Sequence, residues 1–120
     1  MGEARVTIEV QGLQPNGVKP QKAEVLADTG ATLTMLPAEL LAKAGVVAEG
    51  KVLVRTADGR TAERKAGLAR VTVQGQTTAV RVLFGETGDA ALLGLTALEQ
   101  IGMTVDTVNR KLVPAPFNLF

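Results

Sequence analysis

The stretch Val25-Leu26-Ala27-Asp28-Thr29-Gly30-Ala31-Thr32, running on through Leu33-Thr34-Met35-Leu36-Pro37, decides how this chain is read. From Val25 to Ala38 its one charged residue is Asp28. A carboxylate that leaves water uncompensated loses several kcal/mol or shifts its pKa upward, so an acid in an apolar island needs a reason to be there. One reason is local. Asp-Thr-Gly is ordinary turn chemistry, with Asp28 bonding its own backbone two residues on. The other is that Asp28 is a catalytic acid or base.

Composition narrows that choice. The chain has 120 residues, with 13 Lys+Arg against 12 Asp+Glu for a formal charge of +1. Its length fits one domain, residues 1–120, around one core. A balance so close to neutral leaves no basic excess for a phosphate backbone, so nucleic acid is not an expected partner. Cys, His, Trp, Tyr and Ser are absent. That removes the usual thiol and hydroxyl nucleophiles, the commonest general base and the commonest zinc ligand, and implies neither metal nor cofactor. Acid–base chemistry must come from carboxylates, with six lysines as the poorer option. No apolar run approaches the ~20 residues that span a bilayer, and MGEARVTIEV lacks an apolar signal core. The expectation is a soluble, cytoplasmic protein without a membrane partner.

Outward from the island, period-2 patterning predicts strands at Arg5–Val10 and Lys22–Ala27, with a turn at Pro15-Asn16-Gly17 between them. Pro37 to Gly45 reads as a short helix closed by glycine. Lys51–Thr56 and Thr61–Val73 form a hairpin around Asp58-Gly59, and Ala79–Phe84 returns after Gln74-Gly75-Gln76. After the apolar run Ala90–Leu93 and Gly94, Thr96-Ala97-Leu98-Glu99 has capping-box spacing for a second short helix ending at Gly102. Strands at Met103–Asp106 and Lys111–Val113 complete a mainly β, barrel-like, all-β domain with two short helices.

With both motifs in place, Val25 to Pro37 resembles the active-site signature of the retroviral-type aspartic peptidases, or retropepsins, and especially of their bacterial relatives. Leu92-Leu93-Gly94 resembles the same family's apolar-apolar-Gly motif, followed by a short helix and Gln100-Ile101-Gly102. The likeness extends over essentially the whole chain. It implies a retropepsin-like acid-protease barrel, one lobe per chain of a symmetric homodimer, and an aspartic endopeptidase acting on extended or unfolded polypeptides.

Peptide hydrolysis by carboxylates needs two of them sharing one proton. This chain has a single Asp-Thr-Gly; Asp58 lies in a charged turn, Asp89 in a Gly-flanked loop and Asp106 near a strand end. The dyad is therefore expected to be Asp28 from each of two chains, and a monomer to be inert. By resemblance, Thr29 hydrogen-bonds across the dimer and Gly30 allows close backbone approach to the carboxylates. Ala31 and Thr32 line the substrate cleft, while Leu92, Leu93 and Gly94 support the active-site loop. The hairpin tip at Ala57, Asp58 and Gly59 corresponds to the substrate-covering flap, although six charges from Arg55 to Lys65 also suit a plain solvated hairpin.

Two positions depart from the viral pattern. Thr32 and Leu95 stand where viral members carry an Asp–Arg ion pair, which puts in doubt the substrate and dimer contacts made there. The tail from Pro114 to Phe120 holds Phe117 and Phe120, and either packs at a subunit interface or is a loose end. Two other functions stay open: a non-catalytic homodimeric peptide-binding or dimerisation module with the same fold, and a self-processing domain of a larger precursor.

Overall fold

Strict alternation drives the first strand of this computed structural model, which describes residues 4–14 and 18–119. In β1 (Ala4–Gly12), Ala4, Val6, Ile8 and Val10 turn inward while Arg5 and Thr7 face solvent. β2 (Gln21–Ala27) pairs antiparallel to it, Val6 opposite Val25. The turn expected at Pro15-Asn16-Gly17 lies outside the described residues.

The remaining elements are β3 (Thr34–Pro37), α1 (Ala38–Lys43), β4 (Ala48–Arg55), β5 (Thr61–Val73), β6 (Gln76–Gly85), β7 (Leu92–Leu93), α2 (Leu95–Gln100), β8 (Met103–Asp106) and β9 (Lys111–Pro114). Strand order is β1-β2-β7-β3-β6-β5-β4, and β5 also pairs with β1. The six strands β1, β2, β7, β3, β6 and β5 thus close into a ring, joined on the β7 side through Leu26 and Ala27 of β2 and Met35 of β3. β4 hangs outside the ring on β5, and β8 and β9 form a separate two-stranded sheet. This is the mainly β, two-helix barrel anticipated from the sequence.

The barrel is filled by residues from every layer: Ile8 and Val10, Val25, Leu36, Val71 and Val73, Val82 and Leu93, all essentially inaccessible. Leu41 of α1 and Leu98 of α2 close the core from outside the strands. Helix α1 ends where the sequence places its glycine. Gly45 adopts φ +81°, its N–H donates to Ala42 O and that of Val46 to Leu41 O, the paired bonds that satisfy a helix C-terminus.

The elements differ from the sequence reading in their strands and in one cap. Strands form where none was assigned: β7 at Leu92–Leu93, and β3 at Thr34–Pro37, which takes in the proline read as part of the helix. β3 runs parallel to β6 and touches β7 at a single position, Met35 opposite Leu92. Parallel pairing depends on distant partners and leaves little local trace. The capping box at Thr96 does not form: α2 begins at Leu95, with Gly94 as its N-cap and no side-chain cap. Its first free N–H groups are satisfied by another segment instead, Leu95 N by Ala31 O at 2.7 Å and Thr96 N by Thr32 O at 3.1 Å.

The tail beyond β9 lies against Gly102, just past the end of α2. Ala115 N donates to Gly102 O at 2.7 Å, and the Phe117 ring lies over Gly102, yet Phe117 keeps 65% of its surface exposed. Phe120 is outside the described residues. Among the described residues, no helix is long and apolar enough to cross a membrane.

Leu98 is fully buried beneath the barrel. Leu98→Ala is expected to cost about 2–5 kcal/mol, read as a lower urea midpoint at unchanged slope.

Candidate active site

β2 delivers Asp28 to the rim of the barrel. Val25 and Ala27 spend their apolar character on the core, whereas Asp28 is half-buried and its neighbours Thr29 and Gly30 are exposed. The apolar island is thus divided: Val25, Ala27 and Leu36 are buried in the core, Leu26, Leu33 and Met35 are partly buried, and the acid sits in a loop at the surface of the lobe. Gly30 N donates to Asp28 Oδ1 at 2.8 Å, and Ala31 N donates to Asp28 O at 3.1 Å. The local turn bond foreseen for an Asp-Thr-Gly is therefore present, and it orients the carboxylate as well as closing the turn. A Cβ on Gly30 would lie 3.1 Å from Asp28 Oδ1, so a larger residue would press on that oxygen.

The loop is held from behind by β7. Leu26 N donates to Ala91 O at 3.1 Å and Asp28 N to Leu93 O at 3.0 Å, as β7 runs parallel to β2. Gly94 then passes under the far side of the loop. Its N–H donates to the buried hydroxyl of Thr34 at 3.0 Å, and a Cβ there would fall 2.5 Å from Leu33 C and 2.6 Å from Leu33 O. Gly94 has φ −86°, a value open to any residue, so space rather than backbone conformation demands glycine. The structure thus brings Leu92, Leu93 and Gly94 against Asp28–Thr34. At Thr32 and Leu95, where the viral pattern has charged side chains, backbone bonds join the loop to α2.

Ala57, Asp58 and Gly59 lie at the exposed tip of the β4–β5 hairpin. Gly59 N donates to Thr56 O at 2.9 Å, with Gly59 at φ +85°. Asp58 accepts from the Thr56 hydroxyl and from Arg60 N, and the Thr56 bond foremost holds its pKa below the ordinary value. The Asp106 carboxyl is lowered likewise, chiefly by the Asn109 side-chain amide at 2.8 Å.

Asp89 lies in the glycine-flanked loop where the sequence put it, but with a partner the sequence did not foretell. Arg64 Nε donates to its Oδ2 at 2.7 Å and Arg64 Nη2 to its Oδ1 at 3.1 Å, a two-pronged bond across the molecule. The side chains are only 13% and 20% exposed, so Arg64 is not the solvated charge its sequence neighbourhood suggests. Glu86 N also donates to Asp89 Oδ2, at 2.7 Å. The Arg64 bond, ahead of the Glu86 backbone bond, holds the Asp89 carboxyl below its usual range and raises the guanidinium. Nothing in the sequence pairs two residues 25 apart in a charged hairpin and a glycine-flanked loop.

Residues 15–100 match the family of gag-polyprotein putative aspartyl proteases, so the chain belongs to that retropepsin-like family. No curated protein matches it.

Two outcomes follow from this geometry. Gly94→Ala must push the Leu33 backbone aside, at a cost of about 3 kcal/mol on chemical denaturation. A lowered folded-state pKa means that Asp89 adds stability above its unfolded value of about 3.9, and that this is lost as pH falls through the folded value. The melting-temperature gap between the wild type and Asp89→Asn is therefore expected to be widest at neutral pH and to shrink below pH ~4.

Proposed function

We propose that the chain is an aspartic endopeptidase whose reactive centre is Asp28 from each of two identical subunits. The observation that carries this reading is the Asp28 loop. Its backbone is bonded to β7 and α2, and its carboxylate is oriented by Gly30 N at the lobe surface, where a second copy can reach it. The other aspartates are committed elsewhere: Asp58 to its own turn, Asp89 to Arg64 and Asp106 to Asn109. Membership of an aspartyl protease family supports hydrolysis as the chemistry.

Across the two-fold axis the carboxyls hold one proton between them, because like charges ~3 Å apart do not both ionise. The ionised Asp28 takes a proton from water as its oxygen attacks the scissile carbonyl, and the protonated Asp28 gives its proton to the carbonyl oxygen. Collapse of the tetrahedral diol breaks the C–N bond: the Asp28 that took water's proton gives it to the departing amine, and the other Asp28 takes a proton from a diol hydroxyl, which restores one proton to the pair. Thr29, exposed beside the acid, hydrogen-bonds its counterpart, and Gly30 lets the two carboxylates approach. Ala31 and Thr32 line the cleft, and Leu92, Leu93 and Gly94 fix the loop. Ala57, Asp58 and Gly59 form the tip of a flap that covers an extended peptide. Leu53 on that hairpin is 71% exposed in a single lobe, apolar surface suited to a substrate or a second subunit. The peptidase unit is one domain, residues 1–120.

Asp28→Asn is expected to abolish cleavage of an unfolded protein, by at least ~10³-fold, while the sedimenting species remains a dimer. Specific activity of the wild type is expected to fall on dilution in step with dissociation. Full activity in Asp28→Asn, or activity in a species that sediments as a monomer, refutes the reading.

A further inference from the structure

Beyond Ala66 the β5 strand leaves the barrel. Ala66 to Val73 are paired with β6, and β4 joins them at Gly67 through Ala48, whereas Thr61 to Lys65 are paired with β4 alone, so this part of the hairpin projects from the ring as a two-stranded lever. Two strands alone are marginally stable, and the stiffness of such a lever depends on how its root is held. Arg64 stands two residues past the last β6 pairing, opposite Val52 of β4. Its guanidinium reaches out of the hairpin to both oxygens of Asp89, and its Nη1 bonds Glu63 O at 2.8 Å and approaches Glu86 Oε1 at 3.7 Å. Asp89 in turn is fixed within its loop: its carboxylate accepts from Glu86 N, and its own N–H donates to Glu86 O. That loop leads through Ala91 into β7, whose Leu93 bonds Asp28 N.

We propose that Arg64 and Asp89 are a positioning pair that pins the root of the β4–β5 hairpin to the loop entering β7, setting the height of the hairpin tip relative to the Asp28 loop. The inference rests on the reading of that hairpin as a substrate-covering flap. Neither side chain touches substrate. The pair acts by restricting the lever to its segment beyond Val52 and Arg64, so that less disorder is lost when the tip closes on a peptide. A guanidinium suits the task because its planar fork engages both carboxylate oxygens at once, fixing direction as well as distance. By this arrangement one loop serves both sides of the cleft, bracing the acid from below through β7 and the flap from above through Asp89.

Amide hydrogen exchange on the intact protein, compared among the wild type, Asp89→Asn and Arg64→Lys, tests the proposal. In Asp89→Asn the amides of Val52 to Glu63 are expected to exchange about tenfold faster, with β1 and β2 unchanged. Arg64→Lys, which keeps the charge but loses the fork, is expected to fall between. Peptide cleavage by Asp89→Asn should show a raised KM with kcat changed little. Unchanged hairpin exchange in Asp89→Asn overturns the proposal, as does acceleration spread equally over the whole barrel. Should the wild type cleave no peptide, the peptidase reading fails, and the exchange comparison still decides whether the pair pins the hairpin.

Discussion

The passage of Leu92-Leu93-Gly94 between β2 and β3 is the constraint on which the rest of the molecule depends. Only two residues of β7 pair as strand, but they close the gap in the ring between two strands that are consecutive in sequence. The loop from Asp28 to Leu33 must then wrap over an intruding segment instead of making a tight turn. Gly94 tolerates this because it carries no Cβ to meet Leu33, and the buried Thr34 hydroxyl accepts its N–H. The N-terminus of α2 lands against the same loop, so that its orphan N–H groups and the loop's carbonyls of Ala31 and Thr32 satisfy one another. One insertion thereby completes the barrel, caps a helix and holds the loop of the acid.

The hairpin carries the opposite character. The barrel strands bury one face, whereas every residue of β4 from Ala48 to Lys51 is exposed, as are Leu53 and Arg55. A lever with so little buried surface is drawn from the low-stability end of a structure, where moving parts belong. Its partly buried charged contact is the Arg64–Asp89 pair, placed at the root and not at the tip. At the tip, Asp58 accepts from the Thr56 hydroxyl and from Arg60 N and forms an exposed ion pair with the Arg60 guanidinium at 3.6 Å.

Much of this was legible in the chain because it is local. Thr61–Val73 matches its strand residue for residue, and Gly45 and Asp58-Gly59 mark the helix end and hairpin turn they announce, since φ-permissive residues act where they stand. Asp28 stood out as an acid among apolar neighbours, and its turn bond to Gly30 is a two-residue affair. Thr96–Glu99 misled for the complementary reason. Its spacing satisfies the local rule for a cap, but the carbonyls of Ala31 and Thr32 had already met the need from across the molecule.

What the sequence determined by itself is the inventory of chemistry and the alternation that builds strands: no thiol, serine hydroxyl or imidazole, one Asp-Thr-Gly, and apolar residues at the right period. Tertiary structure decided which strands run parallel, how Gly94 lies against Leu33, and that Arg64 reaches Asp89. The division follows from range. Backbone propensity and side-chain period act over a few residues and are written in order along the chain, whereas van der Waals exclusion and ion pairing act through space between residues 25 to 60 positions apart.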